Sequence, residues 1–501
     1  MDDARGFRPA TPDAGSLGLD HGERRILWQR VIDVLEDYLG SLPDAPVSSI
    51  PADADVAALV QGCDLLQPMD SQQALELAVH GLLNCQVHAA HPRHFGLFMP
   101  RPTTMGVMAE TLVAAFNPQA GSRHHSPFAV EVETHVLRTL GAWFGYDSQS
   151  VDGTMTSGGA EANHTAVLAA LAHRFPAFVQ DGAWALSRRP AIYLSAEAHG
   201  SFRKAARACG LGDRSIREID TDTGGRIDIM ALERRIAQDR GDGWEPVMVV
   251  ATAGTTAAGV VDPIATLAEL AEREGLWLHV DAAWGGAAAW LPELAPLFEG
   301  LARADSITFD PHKWLSVPLG AGAFLTRHVG LLEDLFSVDT PYLPEPDGDA
   351  GAEPYAKSLR WSRRFTGLKV FLSLLVAGRE GYQQTMRRQL AYGDLLRRQL
   401  KKTGWTLRNR TVLPVVCFDD VSGTSQASLE HIKKIAHDVV ASGQAWVCPV
   451  RTRGRPVVRA CISGYDTSEQ DVMTLVQTLA DVRGGSVGLP PIPTAGSTVS
   501  D

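Results

Sequence analysis

Short apolar runs alternate with helical segments through the middle of this 501-residue chain, and this alternation limits the possible fold more than any other feature. Apolar runs bounded by Gly, Pro and Asp predict buried strands, whereas apolar residues spaced three and four positions apart predict helices. Because a connecting helix makes successive strands parallel, the pattern predicts an α/β doubly wound sheet. The predicted strands are 191–195, 247–252, 276–281, 306–309 and 322–326, and the predicted helices are 161–174, 202–209, 230–238 and 263–274.

Two of these strands lead into residues that can carry chemistry. One ends in Asp281, and another is followed four residues later by Lys313. Carboxylates at strand ends lie where α/β sheets bind ligands, and an apolar pocket favours the neutral lysine amine that attacks a carbonyl group. By itself, the segment 306–326 also fits an exposed turn with one solvated lysine. The pair favours pyridoxal phosphate, which needs a carboxylate at its ring nitrogen and a lysine at its aldehyde.

A glycine-rich turn, TSGGAEAN, precedes the predicted helix 161–174. Amides at a helix N-terminus bind phosphate, and Gly158 and Gly159 allow a close approach of the anion. Without the other motifs, an ordinary turn that caps a helix explains this segment equally well.

The segments HVDAAWGG (279–286) and DPHKWLSVPLGAG (310–322) together resemble the group II pyridoxal-phosphate-dependent amino-acid decarboxylases. This family includes the aromatic-amino-acid, glutamate and diaminobutyrate decarboxylases, and the resemblance covers about residues 20–482. It implies fold type I, with a large doubly wound domain and a small C-terminal α+β domain. It also implies a homodimer that shares its active sites, with pyridoxal 5′-phosphate as the cofactor and an L-amino acid as the substrate.

The resemblance assigns roles to the cofactor-binding residues. Lys313 carries the cofactor, Asp281 keeps the ring nitrogen protonated, and His199 stacks on the ring and touches the substrate. Asp310 stands where animal aromatic-amino-acid decarboxylases have asparagine, and because a carboxylate repels phosphate we expect its backbone to make the contact. The implied cofactor-binding residues are Gly158, Gly159, Ala160, His199, Thr255, Asp281, Ala283, Asp310, His312 and Lys313.

A Pro- and Gly-rich loop at 336–362 contains Tyr342. In the family, a tyrosine at this position gives a proton to the substrate carbon after CO₂ leaves, and its presence distinguishes decarboxylases from relatives that form aldehydes. The implied catalytic residues are therefore Lys313, His199, Tyr342 and Asp281. Arg459 matches the arginine that binds the substrate α-carboxylate in glutamate decarboxylases, although a surface salt bridge is the alternative.

The substrate side chain is less well defined by the sequence. Phe98 is retained from the aromatic-specific pattern, whereas Arg101 and His125 give the two substrate loops a more basic character. Basic groups could select a carboxylate or sulfinate side chain, or they could face solvent or a neighbouring subunit. The implied substrate-binding residues are Arg459, Phe98, Arg101 and His125, and the overall likeness favours an aromatic substrate slightly over an acidic one.

Composition excludes several other classes of protein. The net charge of −12 argues against a nucleic-acid partner, and no apolar run is long enough to span a membrane. Six scattered cysteines and an amino terminus without an apolar signal segment lead us to expect a soluble, cytoplasmic enzyme. The expected divisions are a disordered tail (1–20), an N-terminal helical segment (21–90), the large α/β domain (91–385), the small domain (386–483) and a second disordered tail (484–501).

The leading interpretation is an amino-acid decarboxylase that releases an amine and CO₂. A pyridoxal-phosphate aldehyde synthase, oxidase or aminotransferase on the same fold is the first alternative, and Tyr342 argues against the aldehyde synthase. A nucleotide-binding α/β protein without catalysis is the second alternative, but it leaves Lys313 and Asp281 unexplained.

Overall fold

The computed structural model describes residues 17–339, 353–421 and 425–485. Most of both predicted tails, and Tyr342, lie outside the described residues. The chain divides into two compact units, Met1–His91 and Pro92–Asp501.

The first unit is mainly helical. Asp20 and Asp70 cap two of its helices, and each carboxylate accepts hydrogen bonding from the amides of the first turn that follows. A third helix begins after Ala52, whose side chain makes no capping hydrogen bond. The unit contains α1 (His21–Ser41), β1 (Ser48–Ser49), α2 (Asp53–Gln61), α3 (Ser71–Asn84) and β2 (Gln86–Val87).

A seven-stranded sheet forms the centre of the second unit. Its strands are β3 (Asp152–Thr156), β4 (Arg189–Ser195), β5 (Ile216–Ile219), β6 (Trp244–Thr252), β7 (Trp277–Asp281), β8 (Ser306–Phe309) and β9 (Gly322–Thr326). The order across the sheet is β3-β9-β8-β7-β6-β4-β5, and β9 is antiparallel to both of its neighbours, whereas the other pairs are parallel.

Helices cover both faces of this sheet. Along β4, Ala191 and Tyr193 enter one apolar core while Ile192 and Leu194 enter another. Successive residues of a strand point to opposite faces, so this strand is buried on both sides, as the doubly wound prediction requires. The helices are α4 (Thr104–Phe116), α5 (Pro127–Trp143), α6 (Gly159–Arg174), α7 (Phe178–Asp181), α8 (Ser201–Ala208), α9 (Ile229–Gly241), α10 (Ile264–Glu274), α11 (Leu331–Phe336) and α12 (Gly367–Lys402).

A four-stranded antiparallel sheet follows, in the order β10-β11-β13-β12, with two helices. The elements are β10 (Thr406–Leu407), β11 (Val415–Asp419), α13 (Leu429–Ala441), β12 (Cys448–Thr452), β13 (Arg455–Cys461) and α14 (Glu469–Gly484). The predicted domain boundary at residue 386 lies inside α12, which is interrupted earlier, at Gly378, where φ is 62°. No helix in the described ranges is long and apolar enough to cross a membrane.

A buried ion pair fixes the start of α12. The Glu133 carboxylate accepts hydrogen bonds from the amides of Thr366 and Gly367, each at 3.0 Å, and pairs with Arg363 at 3.3 Å. Both charged side chains are buried, so removing one partner leaves the other as an unpaired charge that water cannot solvate. We expect Glu133→Ala to lower the free energy of unfolding by about 3–5 kcal/mol, measured by urea denaturation.

Glu293→Ala is the matched control, because Glu293 pairs with Arg387 at 2.7 Å but both side chains are nearly half exposed. Exposed pairs contribute little to stability, so this variant should unfold close to the wild type. Equal losses in the two variants would contradict the structural role given to Glu133.

Candidate active site

The carboxyl ends of β4, β6, β7 and β8 meet at one edge of the large sheet, where parallel α/β sheets bind ligands. The loops that leave these strands, together with the turn before α6, enclose a cavity of about 230 Å³. The sequence-predicted residues that line it are Gly158, Gly159, Ala160, His199, Asp281, Ala283, Asp310, His312 and Lys313.

Lys313 lies in the cavity beside Asp310. Its Nζ is 2.9 Å from Asp310 Oδ2, and the lysine side chain is 26% exposed whereas the aspartate side chain is 1% exposed. The other carboxylate oxygen, Oδ1, is buried without a hydrogen-bond partner among the described residues. The Asp310 amide donates to the Ala283 carbonyl at 2.9 Å. The amide that we expected to contact phosphate is therefore already bonded, and the carboxylate is balanced by the lysine.

Asp281 ends β7 and is buried. Its Oδ1 accepts a hydrogen bond from the Ala283 amide at 3.1 Å, and its Oδ2 accepts one from Asn163 Nδ2 at 3.0 Å. Both oxygens act as acceptors, which is the behaviour of an ionised carboxylate. The side chain is thus held in one orientation at the cavity wall.

The donor directions in the network behind Asp281 follow from Asn163, whose Nδ2 donates to the carboxylate so that Asn163 Oδ1 is left to accept. Trp277 Nε1 can only donate, and it donates to Ser306 Oγ at 2.8 Å. The Ser306 hydroxyl in turn donates to His279 Nδ1, 2.8 Å away, and His279 Nε2 donates to Asn163 Oδ1 at 3.1 Å. Burial lowers the pKa of His279 to about 4, so its ring is neutral at neutral pH, as these directions require.

The same network reaches His199. Asn163 Nδ2 donates to Ser201 Oγ at 2.9 Å, so the Ser201 hydroxyl is free to donate to His199 Nδ1, 2.9 Å away. The Ser201 amide also donates to this nitrogen at 3.3 Å. Because Nδ1 accepts both bonds, the proton of the neutral imidazole lies on Nε2.

We expect Ser201→Ala to weaken the preference of His199 for the Nε2–H tautomer, because only the 3.3 Å bond from the backbone amide of residue 201 remains to hold Nδ1 as an acceptor. The variant should show a mixture of Nδ1–H and Nε2–H forms by ¹⁵N NMR of histidine-labelled protein, in which the His199 signals are assigned with His199→Gln. Loss of one hydrogen bond worth about 1 kcal/mol should also lower kcat about fivefold. Ser201→Thr keeps the hydroxyl and should restore a single tautomer. An unchanged spectrum in Ser201→Ala would contradict the placement of the proton on Nε2 by Ser201.

The turn before α6 supplies backbone donors. The first amides bonded within the helix are those of Glu161 and Ala162, which donate to the Gly158 carbonyl at 3.1 and 3.2 Å. The amides of Gly159 and Ala160 precede them, and both residues line the cavity. A Cβ on Gly159 would lie 2.9 Å from Asp310 Oδ2, so a side chain at this position would crowd the cavity.

These groups fit pyridoxal 5′-phosphate. The cavity brings together a lysine amine for the aldehyde, a buried carboxylate for the ring nitrogen and helix-start amides for the phosphate. Ala283 and His312 line it as well. His312 donates from Nδ1 to the Ala321 carbonyl at 2.6 Å, and burial lowers the pKa of its ring.

Other predicted residues are bonded elsewhere. The Thr255 hydroxyl is buried and accepts a hydrogen bond from the Val260 amide at 3.1 Å, while Gly254 and Thr256 on either side of it line the cavity. Arg459 is 3% exposed and donates to the carbonyls of Thr256 and Gly96, each at 2.6 Å.

The remaining substrate-binding candidates surround the cavity less directly. Phe98 stacks on Trp284, with ring centroids 4.1 Å apart, and Trp284 lines the cavity. Arg101 pairs with Asp466 at 3.3 Å, and His125 is exposed and contacts Ser122 Oγ at 2.9 Å. In the described chain these four candidates, Arg459, Phe98, Arg101 and His125, are not among the residues that line the cavity.

Sequence reasoning missed several residues of the site. Asn163 is the last residue of the TSGGAEAN motif, one helical turn after Gly159, and that spacing could have placed it beside the turn. Trp284 belongs to the HVDAAWGG motif and follows the strand-end aspartate by three residues. Ser201 and His279 carried no signal of their own, because their roles depend on contacts across the sheet.

The mixed sheet and the lysine–carboxylate cavity define a fold-type-I pyridoxal-phosphate enzyme. Residues 62–420 match the pyridoxal-dependent decarboxylase conserved domain, so the chain belongs to the pyridoxal-phosphate-dependent decarboxylase family. It is a carboxy-lyase whose cofactor is pyridoxal 5′-phosphate.

The chain has similar sequence identity to relatives that are named for different substrates. It is 28% identical to the aromatic-L-amino-acid decarboxylase of Bacillus atrophaeus, over 93% of this chain and 97% of that protein. It is 31% identical to the human cysteine sulfinic acid decarboxylase, over 70% of this chain and 71% of that protein. It is also 31% identical to the acidic amino acid decarboxylase GADL1 of Bos taurus, over 71% of each.

Solved structures agree with the fold. The crystal structure of mouse CSAD superposes with a TM-score of 0.87 and 26% identity, covering 92% of this chain and 99% of that one. The structure of Oryza sativa TDC with PLP and tryptamine superposes with a TM-score of 0.86 and 23% identity, covering 93% and 99%.

Proposed function

We propose that the protein decarboxylates an L-amino acid to the corresponding amine and CO₂, with an aromatic side chain favoured over an acidic one. The observation that carries the preference is Trp284, which gives the cavity lining an aromatic ring and is held from behind by its stack on Phe98. Aromatic pairs of this kind bind a further ring by offset or edge contacts.

The cationic candidates support the same choice. Arg459 is bonded to two backbone carbonyls and lies 5.4 Å from the Phe98 ring centroid, and Arg101 is paired with Asp466. An acidic substrate would need one of these cations to be released from its partner. Such an exchange loses a bond for each one formed, so these arginines favour an acidic side chain less than free ones would.

Several residues of the cavity have a task in this reaction. When bound, pyridoxal phosphate takes up the electron pair that remains after the Cα–carboxylate bond breaks. Lys313 would hold the cofactor through its side-chain amine, and Asp281 would hold the proton on the ring nitrogen. The amides of Gly159 and Ala160 bind the phosphate, and Trp284 excludes water from the breaking bond.

His199 presents an N–H rather than a lone pair to the cavity, because its Nδ1 already accepts two hydrogen bonds. In this state it can orient a substrate oxygen but is a poor proton donor, since donation would leave an imidazolate. This chemistry leaves the protonation of Cα to Tyr342, the role that the family resemblance gives it.

A panel of L-amino acids tests the substrate class. Purified enzyme is incubated with tyrosine, tryptophan, phenylalanine, glutamate, aspartate and cysteine sulfinate, and the amine products are measured by mass spectrometry. We expect the highest kcat/KM for an aromatic substrate. A preference for glutamate, aspartate or cysteine sulfinate would overturn this choice and support the second candidate, an acidic substrate, which the similarity to the acidic and cysteine sulfinic acid decarboxylases favours.

Tyr342→Phe tests the fate of the substrate carbon. Without the phenol proton, the electron-rich carbon persists and can react with dissolved oxygen. We therefore expect the variant to consume amino acid and release CO₂ but to form less amine and more aldehyde with ammonia, measured in the same reactions. Tyr355→Phe, in the same segment and stacked on Trp361, is the control that should leave the product ratio unchanged. If Tyr342→Phe forms amine at the wild-type rate, a group other than Tyr342 donates the proton to the substrate carbon.

The proposal includes a homodimer. Met108, Leu112 and Phe116 recur every four residues along α4 and are 52%, 46% and 81% exposed, so they form an apolar stripe on one helix face. Sedimentation should show a dimer at assay concentrations. A monomer with full activity would contradict shared active sites.

A further inference from the structure

A second and larger cavity, of about 570 Å³, lies away from the catalytic lysine. One wall comes from the loops after β4 and β6, with Glu197, Ala258 and Val260, and the opposite wall comes from the turns before β11 and β13. Its volume falls in the range of about 300–1,000 Å³ that is typical of small-molecule sites. The catalytic reaction gives this cavity no task.

The cavity is positively charged although the chain as a whole carries a charge of −12. Four arginines line it, 408, 410, 453 and 455, against one carboxylate, Glu197. Arg408 is neutralised by Asp419 through two bonds of 2.7 and 2.8 Å. Even without Arg408, guanidinium groups outnumber carboxylates in the lining.

The Glu197 carboxylate accepts hydrogen bonds from residues of the opposite wall. Its Oε1 accepts from the Arg453 amide at 2.7 Å, and its Oε2 accepts from Thr452 Oγ1 at 3.2 Å. These bonds hold Arg453 at a φ of 48°, a left-handed conformation that is uncommon for a residue other than glycine. Arg453 Nη1 donates to the Thr223 carbonyl at 2.7 Å, and this bond fixes the Arg453 guanidinium at the rim of the cavity.

Arg410 lies at the same rim. Its side chain is exposed and, among the described residues, makes no hydrogen bond or ion pair, so its five N–H donors are available to a ligand. Arg455 lies near it in the lining and donates to the Ser425 carbonyl at 2.9 Å. Arg410 and Arg453 therefore supply the guanidinium groups on which an anion site at this rim depends.

We propose that this cavity binds a small molecule with two or more negative charges on phosphate or carboxylate groups. The guanidinium fork matches both groups with paired hydrogen bonds, and several arginines around one cavity match a ligand with more than one anionic group. The site does not depend on the amino acid that the enzyme decarboxylates.

The position of the cavity connects it to the active site. Val260 exchanges hydrogen bonds with Thr255, at 2.8 and 3.1 Å, and the neighbouring Gly254 and Thr256 line the catalytic cavity. Glu197 precedes His199 by two residues. A ligand in the arginine-lined cavity therefore contacts the same two loops that shape the cofactor site.

Isothermal titration of the cofactor-loaded enzyme tests the proposal. The loaded enzyme is used because its cofactor occupies the active-site phosphate position, so that added anions cannot bind there. Citrate and pyrophosphate are titrated separately, and the stronger one identifies the carboxylate or phosphate source. We expect one of them to bind with a Kd below about 1 mM at low salt and to weaken as NaCl is added.

Arg410→Ala combined with Arg453→Gly removes two guanidinium groups, and glycine accepts the backbone conformation at position 453. This variant should bind the anion at least about tenfold more weakly while keeping the cofactor absorbance of the wild type. Arg451→Ala is the control, because Arg451 is exposed on the same sheet and is not among the lining residues. If neither anion binds the wild type, or if the double variant keeps its affinity, the proposal is wrong. Should the double variant fail to fold, the exposed Arg410→Ala alone gives the decisive comparison.

Discussion

Lys313→Ala should yield a protein without covalently attached cofactor and with kcat lowered on the order of 10³-fold or more, since covalent and proton-transfer assistance by one side chain each contribute about 10²–10⁴-fold. The physical reason is that no other lysine lines the catalytic cavity within the described residues. After borohydride reduction, mass spectrometry of the tryptic peptide should locate the cofactor on residue 313 in the wild type and nowhere in the variant.

Lys313→Arg separates attachment from charge. Arginine can keep the ion pair that Lys313 makes with Asp310, but its guanidinium stays protonated and does not form the linkage. Lys357→Ala is the matched control, because Lys357 has the same 26% side-chain exposure and pairs with Asp152 at 2.8 Å. Reducible attachment that survives in Lys313→Ala, or attachment lost in Lys357→Ala, would contradict the assignment.

The sequence predicted the strands that carry clear boundary signals. The predicted 306–309 and 322–326 match β8 and β9 at both ends, because Asp310-Pro311 and a glycine-rich turn bound them. Two strands of the large sheet were missed for physical reasons. β3 reads DGTMT and holds one large apolar residue, and β5 reads IREI at the edge of the sheet, where Glu218 is exposed. Neither pattern differs locally from a polar loop.

The candidate site was predicted where a residue and its task lie within one motif. Lys313, Asp281 and Gly159 line the cavity because each lies at the end of a strand or helix that faces it, or within four residues of that end. The surroundings of Arg459 could not be predicted, since its carbonyl partners, Gly96 and Thr256, lie hundreds of residues away in the chain. Whether Thr255 or one of its neighbours lines the cavity depends on which side of the turn each residue faces. The sequence of this short turn does not determine that.

We expect Asp281→Asn to fold, to bind the cofactor more weakly and to lose about 10²–10⁴-fold in kcat, since a neutral amide cannot hold the positive charge on the ring nitrogen. The substitution also disturbs local bonding, because both neighbours of this side chain, the Ala283 amide and Asn163 Nδ2, are donors. An asparagine must point its own NH₂ at one of them, so one hydrogen bond is lost and melting should occur at a somewhat lower temperature.

The loss of a hydrogen bond and the loss of a charge can be separated. Asp305→Asn is a matched control, because Asp305 is also buried and accepts from the Leu278 amide at 2.7 Å, but it precedes β8 and so lies at the opposite edge of the sheet. It should lower the melting temperature while leaving kcat of the folded enzyme near the wild-type value.

The double variant Asn163→Asp/Asp281→Asn exchanges the amide and the carboxylate. It restores a hydrogen-bond acceptor opposite a donor but moves the negative charge away from the end of β7. If melting temperature recovers in this double variant and kcat does not, the charge at position 281 is what the reaction needs. Turnover of Asp281→Asn within about tenfold of the wild type would show instead that another group holds the ring proton.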